Sequence, residues 1–148
     1  MQVVYGEGGI TLIKFTVYGE PVAQGRPRFN TESGRAYDPA KSRNYKSIVR
    51  DAALEVRPVV PLDKPLDVTI KIFKSIPKSF SKKKAVMAQN RAIRPTTKPD
   101  VSNVCKGIED ALNGVIWKDD SQIVNLLVKK FYSDTPRVEV EIEELEAV

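Results

Sequence analysis

The stretch from Lys98 to Ser121, KPDVSNVCKGIEDALNGVIWKDDS, constrains the fold more than any other part of the chain. At about 100° per residue, its apolar and polar side chains separate onto two faces of a helix. The apolar face comprises Val101, Val104, Cys105, Ile108, Ala111 and Leu112. The polar face comprises Ser102, Asn103, Lys106, Glu109, Asp110 and Asn113. Asp100, directly after Pro99, is placed as an N-cap and Gly114 as a C′ glycine, so the sequence predicts an amphipathic helix with defined ends.

Acidic residues lie at both ends of this predicted helix. Asp100 precedes it, and the adjacent pair Asp119 and Asp120 follows it in a predicted turn. Together with Lys106 on the polar face, these carboxylates are expected to converge on one divalent cation. The alternative is purely structural, with Asp100 as a helix cap and the acidic pair as turn-forming residues.

This pattern resembles that of the RusA family of Holliday junction resolvases. The family signature is (K/R)-x-D-x-D-N, a lysine four residues after the second aspartate, A-L-(N/T), a G…W and D-D. The matching residues here are Asp100, Asn103, Lys106, Asp110, Ala111, Leu112, Gly114, Trp117, Asp119 and Asp120. The resemblance extends upstream to GRPRF at 25–29 and to YDP at 37–39, and downstream into the closing strands. One position departs from the family, because Ser102 stands where the second aspartate is usual.

The resemblance implies a single RusA-like domain over residues 1–148, with an α+β fold in which helices cover a small mixed β-sheet. It implies an enzyme, a Mg²⁺-dependent endodeoxyribonuclease that resolves four-way (Holliday) DNA junctions by paired symmetric nicks in recombination and repair. It also implies a homodimer. The alternative is a catalytically weakened DNA-junction-binding protein with the same fold, because Ser102 removes one carboxylate. A third interpretation is a nucleic-acid-binding domain with no preference for branched DNA.

Phosphodiester hydrolysis needs an activated water and stabilisation of charge on the phosphate and the leaving oxygen, which carboxylate-bound Mg²⁺ can supply. By the family pattern, the catalytic residues are Asp100, Lys106 and Asp120. The expected ligands of Mg²⁺, or of Mn²⁺ in its place, are Asp100 and Asp120, with Asp119 and Ser102 as further ligands. The Lys106 ammonium is expected to stabilise the phosphate charge or to protonate the leaving group.

The residue types present exclude several kinds of site. The chain has one cysteine and no histidine. A disulfide framework, a Cys/His zinc site, a Cys–His nucleophile pair and histidine acid–base catalysis are therefore excluded. Cys105 is predicted to be a core residue, and Asp110 to make a structural salt bridge or a dimer contact. Neither a signal peptide nor a run of about 18 apolar residues is present, so a cytoplasmic location is expected.

Basic and acidic residues are unevenly distributed along the chain. Residues 1–99 carry 19 Lys and Arg against 8 Asp and Glu, whereas residues 100–148 carry 5 against 11. The basic region indicates a polyanionic partner such as branched DNA, because Lys and Arg neutralise phosphate charge. The predicted DNA-binding residues are Arg26, Arg28, Lys82, Lys83, Lys84, Arg91, Arg94 and Lys98. Residues 76–99 are expected to form a basic mobile arm; the alternative is a set of ordinary solvated charges.

The remaining periodicities predict strands and further helices. Apolar residues alternate with polar ones in three segments, at 13–17, 66–72 and 138–142, which predicts strands with one buried face. Helical spacing predicts a helix at 40–56, and Ser81 is a candidate cap for a shorter one. The run from Ile123 to Tyr132 is apolar almost throughout, which predicts a central strand covered on both faces. Residues 1–9 are a candidate disordered segment.

Overall fold

The computed structural model describes residues 2–5, 11–25, 28–37 and 39–146, with the backbone alone described at 2–5, 28 and 37. The strands are β1 (Gln2–Tyr5), β2 (Thr11–Tyr18), β3 (Arg28–Asn30), β4 (Arg35–Tyr37), β5 (Leu66–Ser75), β6 (Ile123–Ser133) and β7 (Arg137–Glu144). The helices are α1 (Ala40–Leu54), α2 (Lys82–Gln89) and α3 (Val101–Leu112), and one turn of 3-10 helix spans Asp120–Gln122. The predicted α+β fold is therefore confirmed.

Five strands form one mixed sheet in the order β1-β2-β7-β5-β6, and β3 pairs with β4 in a separate antiparallel hairpin. The β5–β6 pair is parallel, whereas β1–β2, β2–β7 and β5–β7 are antiparallel. The registers place Val140 opposite both Phe15 and Ile70, so buried apolar side chains of three neighbouring strands share one face. This shared buried face explains why apolar and polar residues alternate along β2, β5 and β7, as predicted.

The helices α1 and α3 cover that face of the sheet. α3 buries most of the face expected from its sequence, namely Val104, Cys105, Ile108, Ala111 and Leu112. Tyr45, Val49 and Ala53 of α1 join the same core, and Trp117 is fully buried just after α3. Val101, at the first position of α3, is exposed. Burial of this surface, at roughly 25 cal/mol per Å² of apolar area, is what holds helices and sheet together.

The strand β6 lies at the edge of the sheet, so the prediction of a central strand is wrong. Among the described strands, β6 pairs with β5 alone. Phe131 and Tyr132 in its C-terminal half are buried, whereas Val124, Leu126 and Leu127 in its N-terminal half are exposed. An apolar sequence shows that the side chains of a strand can be buried. It does not determine whether the strand lies in the middle of the sheet or at its edge.

Part of the segment 76–99, which the sequence predicted to be a basic mobile arm, lies against β6, and its mobility stays a prediction. The guanidinium groups of Arg91 and Arg94 lie over the Phe131 ring, at 4.6 and 4.1 Å from its centroid. Arg94 Nε also donates a hydrogen bond to Lys130 O at 2.7 Å. These cation–π contacts and the hydrogen bond hold the second half of the segment against β6.

Three further predictions concern the N-terminal segment, the end of α1 and the start of α2. β1 pairs with β2, so the candidate disordered segment 1–9 contains a strand. α1 ends at Leu54, two residues before the predicted end. Ser81 caps α2 as predicted, because its Oγ accepts a hydrogen bond from Lys84 N.

No helix in the described parts of the chain is long and apolar enough to cross a membrane.

Candidate functional site

The N-terminal end of α3 presents polar groups to solvent. Asp100 occupies the predicted N-cap position, but its carboxylate accepts no hydrogen bond from the helix backbone. It accepts one from Asn103 Nδ2 at 3.3 Å instead. Asn103 O in turn accepts a hydrogen bond from Gln24 N at 3.0 Å. Asp100, Ser102 and Asn103 are all exposed, so the Asp100 carboxylate is accessible to a ligand.

Two lysines on neighbouring strands, which we call the lysine clamp, hold the residues that lead into α3. Lys74 Nζ on β5 donates to Thr97 Oγ1 at 2.8 Å and to Lys98 O at 2.6 Å. Lys130 Nζ on β6 donates to Thr97 O at 2.7 Å and to Pro99 O at 3.0 Å. Charge-assisted hydrogen bonds of this kind are stronger than neutral ones. The clamp therefore ties the backbone before α3 to the ends of two parallel strands.

A cleft of about 370 Å³ opens beside Asp100. Its walls are the 21–23 segment, the residues leading into α3, and the side chains of Lys41, Lys98 and Asn103. Two lysines and one carboxylate at the same opening can hold anionic oxygens on the lysine side and a cation or a proton on the carboxylate side.

The C-terminal end of α3 contains a partly buried series of hydrogen bonds. Trp117 Nε1 donates to Asn113 Oδ1 at 2.6 Å, and Asn113 Nδ2 lies 3.3 Å from Asp120 Oδ2. Trp117 is fully buried, and Gly114 takes the positive φ of +77° that the end of the helix requires. These hydrogen bonds orient the Asp120 carboxylate through Asn113, which is held in turn by the buried Trp117.

The adjacent acidic residues have different structural roles. Asp119 caps the turn of 3-10 helix, because its carboxylate accepts from Ser121 N at 3.0 Å while Gln122 Oε1 accepts from Asp119 N. Hydrogen bonds from the hydroxyl and then the backbone N–H of Ser121 hold the pKa of the exposed Asp119 carboxyl below its usual range. Asp120 instead points to Asn113. The turn-forming alternative thus describes Asp119, and Asp120 is the member of the pair that faces α3.

Glu109 is a carboxylate beside Asp120 that the sequence reasoning did not single out. Burial raises the pKa of the Glu109 carboxyl, and the Asp120 charge raises it further. Cys105 Sγ lies 3.7 Å from Glu109 Oε1, and burial chiefly raises the pKa of this thiol to about 12. Cys105 is therefore an un-ionised core residue, as predicted. The sequence feature that could have identified Glu109 is its position on the polar face of the helix, one turn after Lys106.

Two other charged residues of α3 lie on its outer side. Lys106 is exposed, about midway along the helix. Asp110 Oδ2 lies 3.6 Å from Lys46 Nζ of α1, which is the structural salt bridge predicted for it. A partly exposed pair of this kind contributes about 0–1 kcal/mol.

Asp100 and Asp120 lie at opposite ends of α3. The helix has 12 residues and is therefore about 18 Å long. Asp120 contacts Asn113, just past the C-terminal end. Mg²⁺ holds its ligands at about 2.0–2.1 Å, so one ion cannot contact both carboxylates. Nor do the described residues contain a group of three His, Cys, Asp or Glu suited to a metal. The structure thus does not bring Asp100 and Asp120 together within one chain, and the assignment of Mg²⁺ ligands, including Ser102 and Asp119, stays a prediction.

Comparison with known proteins identifies the family. The family model for endodeoxyribonuclease RusA matches residues 18–143. This chain belongs to the RusA family. The uncharacterized protein YqaN of Bacillus subtilis (strain 168) is 52% identical to it over 139 residues, which cover 91% of this chain and 98% of that protein. The resemblance found in the sequence is thereby confirmed, and the RusA match includes α3, the lysine clamp and the turn at Asp119 and Asp120.

The predicted DNA-binding residues of this RusA-family chain fall into different environments. Lys82, Lys83 and Lys84 are exposed on α2, and Lys98 lines the cleft beside Asp100. Arg91 and Arg94 are stacked on Phe131, so their guanidinium groups already have partners on the sheet. Arg26 and the side chain of Arg28 lie outside the described residues.

The loop that carries these two arginines starts from a fixed point. Gly25 N donates to Ser42 Oγ of α1 at 2.7 Å. A Cβ at Gly25 would lie 2.9 Å from both Ser42 Oγ and Pro39 Cγ, closer than such contacts occur. Glycine is therefore required where the chain passes α1 on its way from β2 to the β3–β4 hairpin.

Proposed function

We propose that this protein is a structure-selective endodeoxyribonuclease that acts on four-way DNA junctions as a homodimer, each copy nicking one of two opposed strands. The observation that carries the proposal is the RusA match over residues 18–143, which includes both acidic ends of α3. A role in recombination and repair follows from the same substrate. The proposal includes a requirement for Mg²⁺, which Mn²⁺ would also satisfy, and assigns no ligand set to the ion.

The distribution of charge over the two faces of the sheet supports a polyanionic substrate on the helix side. Lys41 and Lys98 line the cleft beside Asp100, and Lys106 is exposed on α3. Glu139 and Glu141 of β7 alternate with its buried apolar residues and so point to the opposite face. Phosphate groups are attracted to the first surface. On the second, Glu141 pairs with Lys14 and Glu139 with Arg137, so that face carries charges of both signs.

Three side chains of this protein would have different roles in hydrolysis. The Lys106 ammonium, exposed between the two carboxylates, would stabilise negative charge on the transferring phosphate or supply a proton to the leaving oxygen. Asp100 is an accessible carboxylate beside a basic cleft, and Asp120 is a carboxylate oriented by Asn113. Either group would hold or accept a proton from the attacking water.

The second candidate function is junction binding with weak or no cleavage. Two observations favour it, namely Ser102 at the position of a family aspartate and the separation of Asp100 from Asp120 along α3. The basic residues around the cleft would still bind branched DNA in such a protein.

An assay on a labelled four-way junction distinguishes the two functions. We expect paired nicks in the presence of Mg²⁺, none in EDTA, and none on a linear duplex of the same sequence. Asp100→Asn and Asp120→Asn should each reduce the nicking rate by about 100-fold or more while junction binding is retained. Glu143→Gln, which removes an exposed carboxylate on β7, is the matched control and should nick as the wild type does.

The contrary outcomes are equally specific. Branch-selective binding without nicks, in Mg²⁺ and in Mn²⁺, would reject the nuclease and leave the binding protein. Equal binding to junction and duplex would reject structure selectivity altogether.

Ser102→Asp tests the departure from the family pattern. A second carboxylate near Asp100 should increase the nicking rate at low Mg²⁺ concentration, because hard divalent cations prefer carboxylate ligands. An unchanged dependence of the rate on Mg²⁺ would mean that this position does not contribute to metal binding.

A further inference from the structure

The hairpin of β3 and β4 carries an aromatic side chain that is mostly open to solvent. Phe29 on β3 is 65% exposed. The side chains of residues 30–36, which complete the described part of the hairpin, are exposed as well. The hairpin therefore adds nothing to the core of the domain, and the ring of Phe29 is accessible to a ligand.

The hairpin has a defined shape without burying side chains. Asn30 Oδ1 accepts hydrogen bonds from Glu32 N at 2.9 Å and from Ser33 N at 3.1 Å. Asn30 O accepts a third from Gly34 N at 2.8 Å. Gly34 takes a φ of +69°, which glycine adopts without strain. These local bonds form the turn, so the strand pairing next to it holds Phe29 in place.

The two faces of the hairpin differ in chemistry. Phe29 lies opposite Ala36, and Asn30 lies opposite Arg35. Side chains alternate between faces along a strand, and opposed ones share a face. One face therefore carries the ring beside a methyl group, and the other carries an amide and a guanidinium group. The first face is flat and apolar over about the area of one ring, which suits a planar partner.

The hairpin starts at the cleft beside Asp100. Gly25 N donates to Ser42 Oγ at 2.7 Å, and Lys41, next to Ser42, lines that cleft. Phe29 follows Gly25 by four residues, so the two Cα atoms are at most roughly 14 Å apart. This distance corresponds to about four steps of B-DNA at 3.4 Å per base pair. A strand with a phosphate in the cleft therefore has nearby bases within reach of the ring.

The amount of apolar surface favours a nucleobase over a protein as the partner. A stable protein interface buries roughly 800 Å² on each side. Phe29 and Ala36, the two apolar side chains described on the hairpin, are too few for such an interface. A base needs only one ring, because each base has a π face and stacks on aromatic side chains whatever the sequence. Lys41 and Lys98 in the cleft would attract the phosphates of the same strand.

We propose that the Phe29 ring stacks on a base exposed at the branch point of a DNA junction, and that this contact distinguishes branched DNA from duplex. Inside a duplex, each base is covered on both faces by its neighbours. At a branch point this stack is interrupted, which frees a face for the ring. The inference rests on the proposed function, because it states how the junction is recognised. Binding can be measured without metal, so recognition and nicking are tested separately.

Affinities for a four-way junction and a linear duplex, measured in EDTA, test the contact. Phe29→Ala should weaken junction binding by about tenfold and leave duplex binding unchanged, since stacking of one base on an aromatic ring contributes at least about this factor. Phe29→Trp should bind the junction at least as tightly as the wild type. Phe29→Leu keeps an apolar side chain without a ring and should bind as weakly as Phe29→Ala.

Tyr18→Ala is the matched control. Tyr18 is a 70% exposed aromatic residue at the end of β2, on the face of the sheet opposite the helices. Its truncation should leave both affinities unchanged. Wild-type junction binding by Phe29→Ala or by Phe29→Leu would overturn the proposal. Equal losses on junction and duplex would overturn it too, because the ring would then contribute to all DNA binding.

Photo-cross-linking of the wild-type protein provides a second readout that needs no substitution. 5-Iododeoxyuridine reacts on irradiation with an aromatic ring that stacks on it. Placed at each branch-point position in turn, it should link to Phe29 from at least one of them, as mass spectrometry of the peptides would show. Placed in the middle of an arm, it should not. Absence of a link to Phe29, or equal linking from the arm, would overturn the proposal.

Recognition and nuclease activity can each fail alone. Junctions nicked and bound equally well by the wild type and by Phe29→Ala would reject the stacking contact and leave the nuclease. A branch-specific link to Phe29 in a protein that does not nick in Mg²⁺ or Mn²⁺ would support the contact and reject the nuclease.

Discussion

The two ends of α3 are held in place in opposite ways. At the N-terminal end, Asp100 is exposed, and the backbone before it is held by the lysine clamp from β5 and β6. At the C-terminal end, Asp120 is oriented by Asn113, which is fixed in turn by the buried Trp117. One carboxylate therefore depends on charged hydrogen bonds near the surface and the other on core packing. Substitutions at the two ends should differ in size and in kind.

The largest contrast is expected from truncation at the core end. Trp117→Ala removes a fully buried side chain and should lower the free energy of unfolding by about 3–5 kcal/mol. Asn103→Ala at the exposed end should change it by less than about 0.5 kcal/mol. Urea denaturation followed by circular dichroism measures both. Comparable losses would show that the N-terminal end is as tightly packed as the C-terminal one.

Asn113→Ala tests the polar chain without opening the core as widely. It leaves the indole N–H of Trp117 buried without its partner and should cost about 1–3 kcal/mol. Asn125→Ala, which removes an exposed amide that bonds to Asp67, is the control and should cost less. The indole proton resonance of Trp117 should shift in the first variant alone; an unshifted resonance would contradict the role given to Asn113.

Loss of the clamp should have a smaller and more local effect. Lys130→Met removes two charge-assisted hydrogen bonds to Thr97 O and Pro99 O, and we expect a loss of about 1 kcal/mol. Amide hydrogen exchange should accelerate at residues 97–104 and stay unchanged around Asn113. Lys129→Met, at the exposed neighbouring position, should leave both regions unchanged. Uniform acceleration along α3 would mean that the clamp stabilises the whole helix.

The smallest expected effect is a pH dependence at the C-terminal end. Burial and the Asp120 charge raise the pKa of Glu109 in the folded state, so the folded protein binds this proton more tightly than the unfolded chain does. The free energy of unfolding should therefore fall as the pH rises from the ordinary Glu pKa through the raised one. Glu109→Gln should remove this decrease, and Asp120→Asn should reduce it. A pH profile of Glu109→Gln that matches the wild type would contradict the assignment.

Much of the fold was predictable because its determinants are local. Ile13, Phe15 and Val17 alternate as a half-buried strand must, and Asp100 and Gly114 mark the ends of α3 within one residue. Asp110 is on the polar face of α3 and Cys105 on the apolar face, and these positions predicted the salt bridge of the first and the burial of the second. Periods of 2 and 3.6 residues carry this information directly.

The remainder depended on contacts between distant parts of the chain. Lys74 and Lys130 reach the residues before α3 across 24 and 31 positions, and nothing in their local sequence marks them as hydrogen-bond donors to that backbone. Arg91 has the composition of a DNA-binding side chain, yet it stacks on Phe131 of a strand that follows much later. Asp100 and Asp120 do not meet within one chain because α3 itself stands between them.

The anchoring of Gly25 has a consequence for protein engineering. The chain leaves the domain at Gly25, where a methyl group would touch Pro39, and it rejoins the domain at Pro39 itself. Because the two junctions are adjacent, the 28–37 hairpin is an insert whose length can change at little entropic cost to the domain. Hairpins of other lengths and charges could be exchanged there as cassettes, which would alter the contacts offered to a nucleic acid while the core keeps its sequence.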